Sequence, residues 1–186
     1  ALSGGQGFIA HPYARGSEWE DLEIAGIAGI EIYNAREDVE DEPAPWLAFC
    51  TVLFGSDRSL PRWLDRLDRS LEIWDRRLSR GERLVGIGAT NAHGLRWLAL
   101  RLGPYGPIFK LVRNHLLIEG ELSEAAVYGA LKQGHLFVAH DVLANASGFQ
   151  FSAVSGKTVR AVMCDEVRAE PGLELQAALP RPGELL

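Results

Sequence analysis

Apolar residues in this chain recur with two different periods, and the period changes near residue 145. Leu60, Trp63, Leu64, Leu67, Leu71, Trp74 and Leu78 fall at three- and four-residue steps, which predicts one apolar stripe on a long helix. Asp57 or Ser59 suits its N-cap, Pro61 its first turn, and Gly81 its close. Arg76, Arg77 and Arg80 favour its C-terminal end. Asp65 with Arg69, and Glu72 with Arg76, are four-residue pairs worth about 0.2–0.5 kcal/mol each. The charges of this helix therefore read as a solvated face.

Short apolar runs flank the helix. Phe8–Ala10 reads as a buried strand that stops at His11 and Pro12, because Pro cannot continue a central ladder. Around Trp19, Leu22 and Ile24, residues 16–28 read as an amphipathic turn or short helix. Gly29–Asn34 is a second strand, in which Glu31 points away from Ile30 and Ile32. Residues 35–44 are acidic and read as an exposed loop, and 45–54 as an apolar helix or lid. Leu84, Val85 and Ile87 form a third strand, with Gly86 and Gly88 allowing close approach. Arg96–Leu98 suits a turn, and 108–118 fits a strand or a helix. Ser123 caps a helix through Leu131 that ends at Gly134, and His135–His140 is another strand. This alternation predicts an α/β fold, with parallel strands and crossover helices in an open sheet or part of a barrel.

Beyond Asn145 the period becomes two. Phe149, Phe151 and Ala153, then Val159, Ala161 and Met163, then Leu173, Leu175, Ala177 and Leu179 alternate with their neighbours. Turns at 155–157 and 171–172 separate them, so a small antiparallel β unit is expected. The domains are accordingly 1–144, an α/β body, and 145–186, a β-rich appendage.

Composition narrows the class. The chain has 186 residues, 47% hydrophobic and 24% charged, enough for a sizeable core in one domain plus an appendage. A net charge of −6 with no long basic run argues against a nucleic-acid-coating protein. Cys50 and Cys164 form no motif and favour a reducing, cytoplasmic compartment over secretion. No apolar run is long enough to span a membrane. The start at Ala1 rather than Met suggests a trimmed N-terminus, from which any targeting segment is lost.

In parallel α/β folds ligands gather at the C-terminal ends of strands. His11, Glu31 and the Asn91/His93 pair fall there. An imidazole nitrogen and an amide oxygen are atoms that a divalent metal accepts. Each also has a plainer role. His11 suits a structural strand end, Glu31 a salt bridge, and Asn91 a turn that bonds its own backbone. His115, His135 and His140 do not form a metal pair by spacing. No phosphate cradle or nucleophile elbow occurs.

Gly7–Pro12, Gly29–Asn34, and Trp74–Gly81 running into Val85–Gly94 occur in an order that resembles the C-terminal half of PHP-domain (polymerase and histidinol phosphatase) metal-dependent phosphoesterases. The helix and strand over 123–138, with the β-rich segment after them, are similar to the branch that includes carbaryl-type hydrolases. The resemblance implies a distorted β/α barrel of which 1–144 is the C-terminal portion, with a divalent metal cluster (Zn, Mn or Fe) at the strand tips. It implies that His11, Asn91 and His93 are metal ligands, that Glu31 is a catalytic residue near them, and that the substrate is a small phosphoester or ester. Two departures stand out. Members of the family open with a His-x-His pair, which occurs nowhere here, so the N-terminal half and most of its ligands are expected to be missing. Asn91 stands where the last motif has Asp, and losing that charge weakens metal binding. The expectation is a hydrolase fragment, inactive alone and holding metal weakly or not at all. A degenerate binding or scaffold domain is the alternative. Open strand edges suggest self-association or pairing with the missing half.

Overall fold

The computed structural model describes residues 5–40, 64, 68–92 and 109–183. Three short strands, β1 (Phe8–Ile9), β2 (Gly29–Asn34) and β3 (Val85–Ala89), form a parallel sheet in the order β1-β2-β3. β2 has the bounds its apolar run predicts, whereas β1 stops one residue before Ala10 and β3 starts after Leu84 and runs past Ile87 to Ala89. Helix α1 (Ala35–Glu40) follows β2 directly, and α2 (Asp68–Ser79) packs against β2. Residues 16–28 form turns rather than a helix.

The two faces of β2 bury different clusters. Ile30 meets Ile9 and Ile73 of α2, all three fully buried, with Ile32, Leu22 and Trp74 around them. Burying each such side chain contributes at most about 1.5–3 kcal/mol. Tyr33, on the opposite face, joins Ala35, Leu111 and Val112, with Val138 packed beside them.

The stripe along α2 departs from expectation. Its buried residues are Ser70, Ile73 and Arg77, while Leu71, Trp74 and Leu78 are half-buried. Arg77 is therefore not part of a solvated face. Its guanidinium donates to Glu82 Oε2 at 2.6 and 2.9 Å and to the carbonyls of Leu22 and Ile24 at 2.9 and 3.0 Å. A fork of fixed donors at one site explains why burial is tolerated. Arg76 and Arg80 do stay outside, both donating to Glu23. The proposed start of this helix, the 45–54 segment, the 96–98 turn and His93 lie outside the described residues.

Beyond this layer the parallel alternation stops. β4 (Arg113–Leu116) and β5 (Leu136–Ala139) make a two-stranded antiparallel sheet, joined through α3 (Glu124–Gln133). Ser123 caps α3 by accepting the Ala126 N–H, and Gly134 closes it in the left-handed conformation at φ 75°, as the pattern predicts. The chain then re-enters the sheet at the end it left, with the Leu117 N–H bonded to the His135 carbonyl at 2.8 Å. Strand–helix–strand spacing alone therefore predicts a parallel pair that does not form. The described residues make an α/β fold with no closed barrel.

β3 and the β4–β5 sheet meet at Gly88. A Cβ there would lie 2.6 Å from both Val112 Cγ2 and Val138 Cγ1, so only glycine admits this approach. The Asn114 amide spans the same junction. Its Oδ1 accepts the Gly88 N–H and its Nδ2 donates to the Gly88 carbonyl, each at 2.8 Å.

The C-terminal part is a three-stranded antiparallel sheet in the order β7-β6-β8, made of β6 (Gln150–Ser155), β7 (Thr158–Val162) and β8 (Leu173–Ala178). This is the expected β unit. No helix among the described residues is long and apolar enough to cross a membrane.

Candidate functional site at the rim of the parallel sheet

Parallel pairing puts the C-terminal ends of β1, β2 and β3 on one edge of the sheet. β1 ends with Ile9 level with Ile30, while β3 runs on until Ala89 is level with Asn34. The tip after β1 therefore stops short of the tip after β3, and the end of β2 fills the step between them.

His11 follows β1 at φ 35°, a conformation that strains a residue with a Cβ. Its backbone N–H donates to Glu31 Oε2 at 2.5 Å. Asn34 Nδ2 donates to the same oxygen at 2.6 Å. Glu31 is buried on the face of β2 opposite Ile30 and Ile32, the side predicted for it. Its hydrogen bonds are to its own neighbourhood, so the carboxylate orients the strand tips before it can do anything else. His11 Nδ1 is buried and has no hydrogen-bond partner among the described residues. Two residues past β3, Asn91 repeats this combination. It sits at φ 43°, and its Nδ2 is buried with no partner among the described residues.

A second carboxylate enters from α1. Glu37 is buried, and its Oε1 accepts the Tyr13 N–H at 2.8 Å. Burial pushes its carboxyl above the usual carboxylate range, and the nearby Glu31 charge adds to this, against the opposing pull of the Tyr13 N–H and His11. Asp38 is also buried and accepts the Tyr33 hydroxyl at 2.5 Å. Residues 35–40 are thus not an exposed acidic loop. Acidic residues directly after a strand belong in the first turn of a helix, where the N-terminal dipole favours them, and that signal was available in the sequence.

The other described histidines are committed elsewhere. His115 Nε2 lies 3.0 and 3.1 Å from the Asp141 oxygens, and its ring stacks on Phe137. His135 Nε2 lies 2.8 Å from Asp165, and His140 Nδ1 lies 2.8 Å from the Leu111 carbonyl. His115 and His135 stay away from the rim, while the His140 ring packs edge-on against Tyr33 of β2 with centroids 4.5 Å apart.

The donor chemistry at the strand tips fits a divalent cation in kind: the His11 imidazole nitrogen with the Glu31 and Glu37 carboxylates near it, and the Asn91 amide at the tip of β3. Among the described residues no three His, Cys, Asp or Glu side chains converge as a ligand set, and His93 lies outside them. Comparison of the chain with protein-family models, with curated proteins and with solved structures finds no match.

Proposed function

We propose that this chain carries part of a divalent-metal hydrolase site of PHP type, acting on small phosphoesters or esters, at the rim of the β1–β3 sheet. The observation that supports it is His11: a strained backbone, held by Glu31, presenting a buried Nδ1 that no described residue satisfies. Backbone strain and an unpaired buried nitrogen each cost free energy, and both persist where function requires them. In this reading His11 and Asn91, with His93 from outside the described residues, would hold a divalent cation, which would supply Lewis acidity toward a phosphoryl or carbonyl oxygen. Glu31 fixes the His11 tip through the backbone N–H, and Asn34 fixes Glu31 in turn.

The test is titration of the chain with Zn²⁺ or Mn²⁺ by calorimetry. Weak, saturable binding that His11→Ala abolishes is the expected result. No heat at millimolar metal, or binding unchanged by His11→Ala, overturns it.

A binding domain that has lost the chemistry is the second reading. It is favoured by the neutral Asn91 and by the commitment of Glu31 to internal hydrogen bonds. Asn91→Asp separates the two. A tenfold or larger gain in metal affinity, of order 1.4 kcal/mol, supports a weakened metal site. No gain supports an amide adapted to another ligand.

A further inference from the structure

β8 is the outer strand of the C-terminal sheet. Its inner side pairs with β6 in an unbroken register from Gln150 opposite Ala178 to Ser155 opposite Leu173. Among the described residues nothing pairs with its outer side. Edge strands are normally blunted by Lys, Pro or a bulge. β8 reads Leu-Glu-Leu-Gln-Ala-Ala, with no Lys, Pro or bulge, and its one charge, Glu174, already accepts from Gln176 Nε2 of the same strand at 3.4 Å. At its middle Leu175 is 71% exposed, on the face that also carries Ala153, Ala177 and the partly exposed Phe151.

We propose that the outer edge of β8 pairs antiparallel with β8 of a second copy of this chain, through a two-fold axis at Leu175. The strand sequence is self-complementary there. Directly opposed residues of an antiparallel pair share a face, so a two-fold normal to the sheet has to pass through a residue position. With the axis at Leu175, the two Leu175 side chains meet and Leu173 faces Ala177 of the second copy. On the other face Glu174 meets Gln176 of the second copy, an acceptor opposite an amide donor. An axis at Glu174 would oppose two carboxylates, which is destabilising. The pairing extends a three-stranded sheet to six strands and joins the two apolar faces around Phe151 and Leu175.

Sedimentation equilibrium of the whole chain across a concentration series tests the proposal. The expected result is a reversible dimer, weakened more than about tenfold by Leu175→Lys, which places two like charges together on the edge. Melting of the dilute monomer stays unchanged, because Leu175 is already exposed. Gln176→Glu weakens the dimer and Gln176→Lys tightens it, through the residue each sets opposite Glu174. A monomer at every concentration overturns the proposal. So does a dimer indifferent to Leu175→Lys, or a monomer whose β8 amides resist hydrogen exchange because another part of the chain covers them.

Discussion

At the rim of the parallel sheet His11 holds a buried nitrogen with no partner among the described residues and Glu37 is a carboxyl raised by burial, whereas across Gly88 the charges are matched. There His115 and Arg113 meet Asp141, His135 meets Asp165, and His140 meets a carbonyl. Burial acts to raise Asp141, but the Ala146 N–H, His115 and Arg113 outweigh it and hold that carboxyl below its ordinary value. The Val162 N–H leads in lowering Asp165, helped by His135. One side of the molecule is finished as a structure. The other carries unspent polar capacity, which marks a site or a strain reservoir.

The contrast can be broken most severely where the two sides touch. Gly88→Val forces a side chain into space held by Val112 and Val138 and displaces the Asn114 amide. A loss of about 2–3 kcal/mol in urea unfolding is expected, and a variant within 0.5 kcal/mol of the parent (roughly the surface-substitution range) would deny that the layers meet there.

A smaller effect sharpens the matched side. Asp141→Asn keeps an acceptor for the Ala146 N–H but loses the charged contacts to His115 and Arg113, for about 1–2 kcal/mol. The sign with pH follows from a carboxyl lowered on folding. Its contribution is present above the unfolded value of 3.8 and disappears as pH falls through the folded value, so parent and variant should converge in strong acid.

The smallest effect has the opposite sign. A carboxyl raised on folding stabilises fully below its unfolded value of 4.5, and that contribution is lost as pH rises through the folded value. Glu37→Gln keeps the Tyr13 N–H acceptor without the charge. Its unfolding free energy in urea should equal or exceed the parent's at pH 7, by less than about 1 kcal/mol, and the advantage should vanish below about pH 4. A variant less stable at pH 7 would show that the Glu37 charge is favourable, and the contrast between the two sides would fail.

The three parallel strands were legible because each is a short apolar run, stopped at β1 by Pro12, whereas β4, reading Arg-Asn-His-Leu, carries no such run and its segment fitted a strand or a helix equally. The α3 caps were legible from Ser123 and Gly134. Arg77 was not, since helical spacing assigns an arginine among arginines to solvent, and only the carbonyls of Leu22 and Ile24, distant in sequence, make its burial favourable. The antiparallel β4–β5 pair was hidden because a strand–helix–strand spacing says nothing about the end at which the chain returns. At the rim, His11, Glu31 and Asn91 followed from strand ends. Glu37 required knowing that the chain turns straight into α1.

Asn114 joins two sheets by offering one amide where a neighbouring strand would offer a backbone. Among the described residues both hydrogen bonds between β3 and β4 run through that side chain. The two sheets are thus leaves fastened by a single stitch over a row of methyl groups. A pull across the seam should part them there, while each leaf keeps its own ladder.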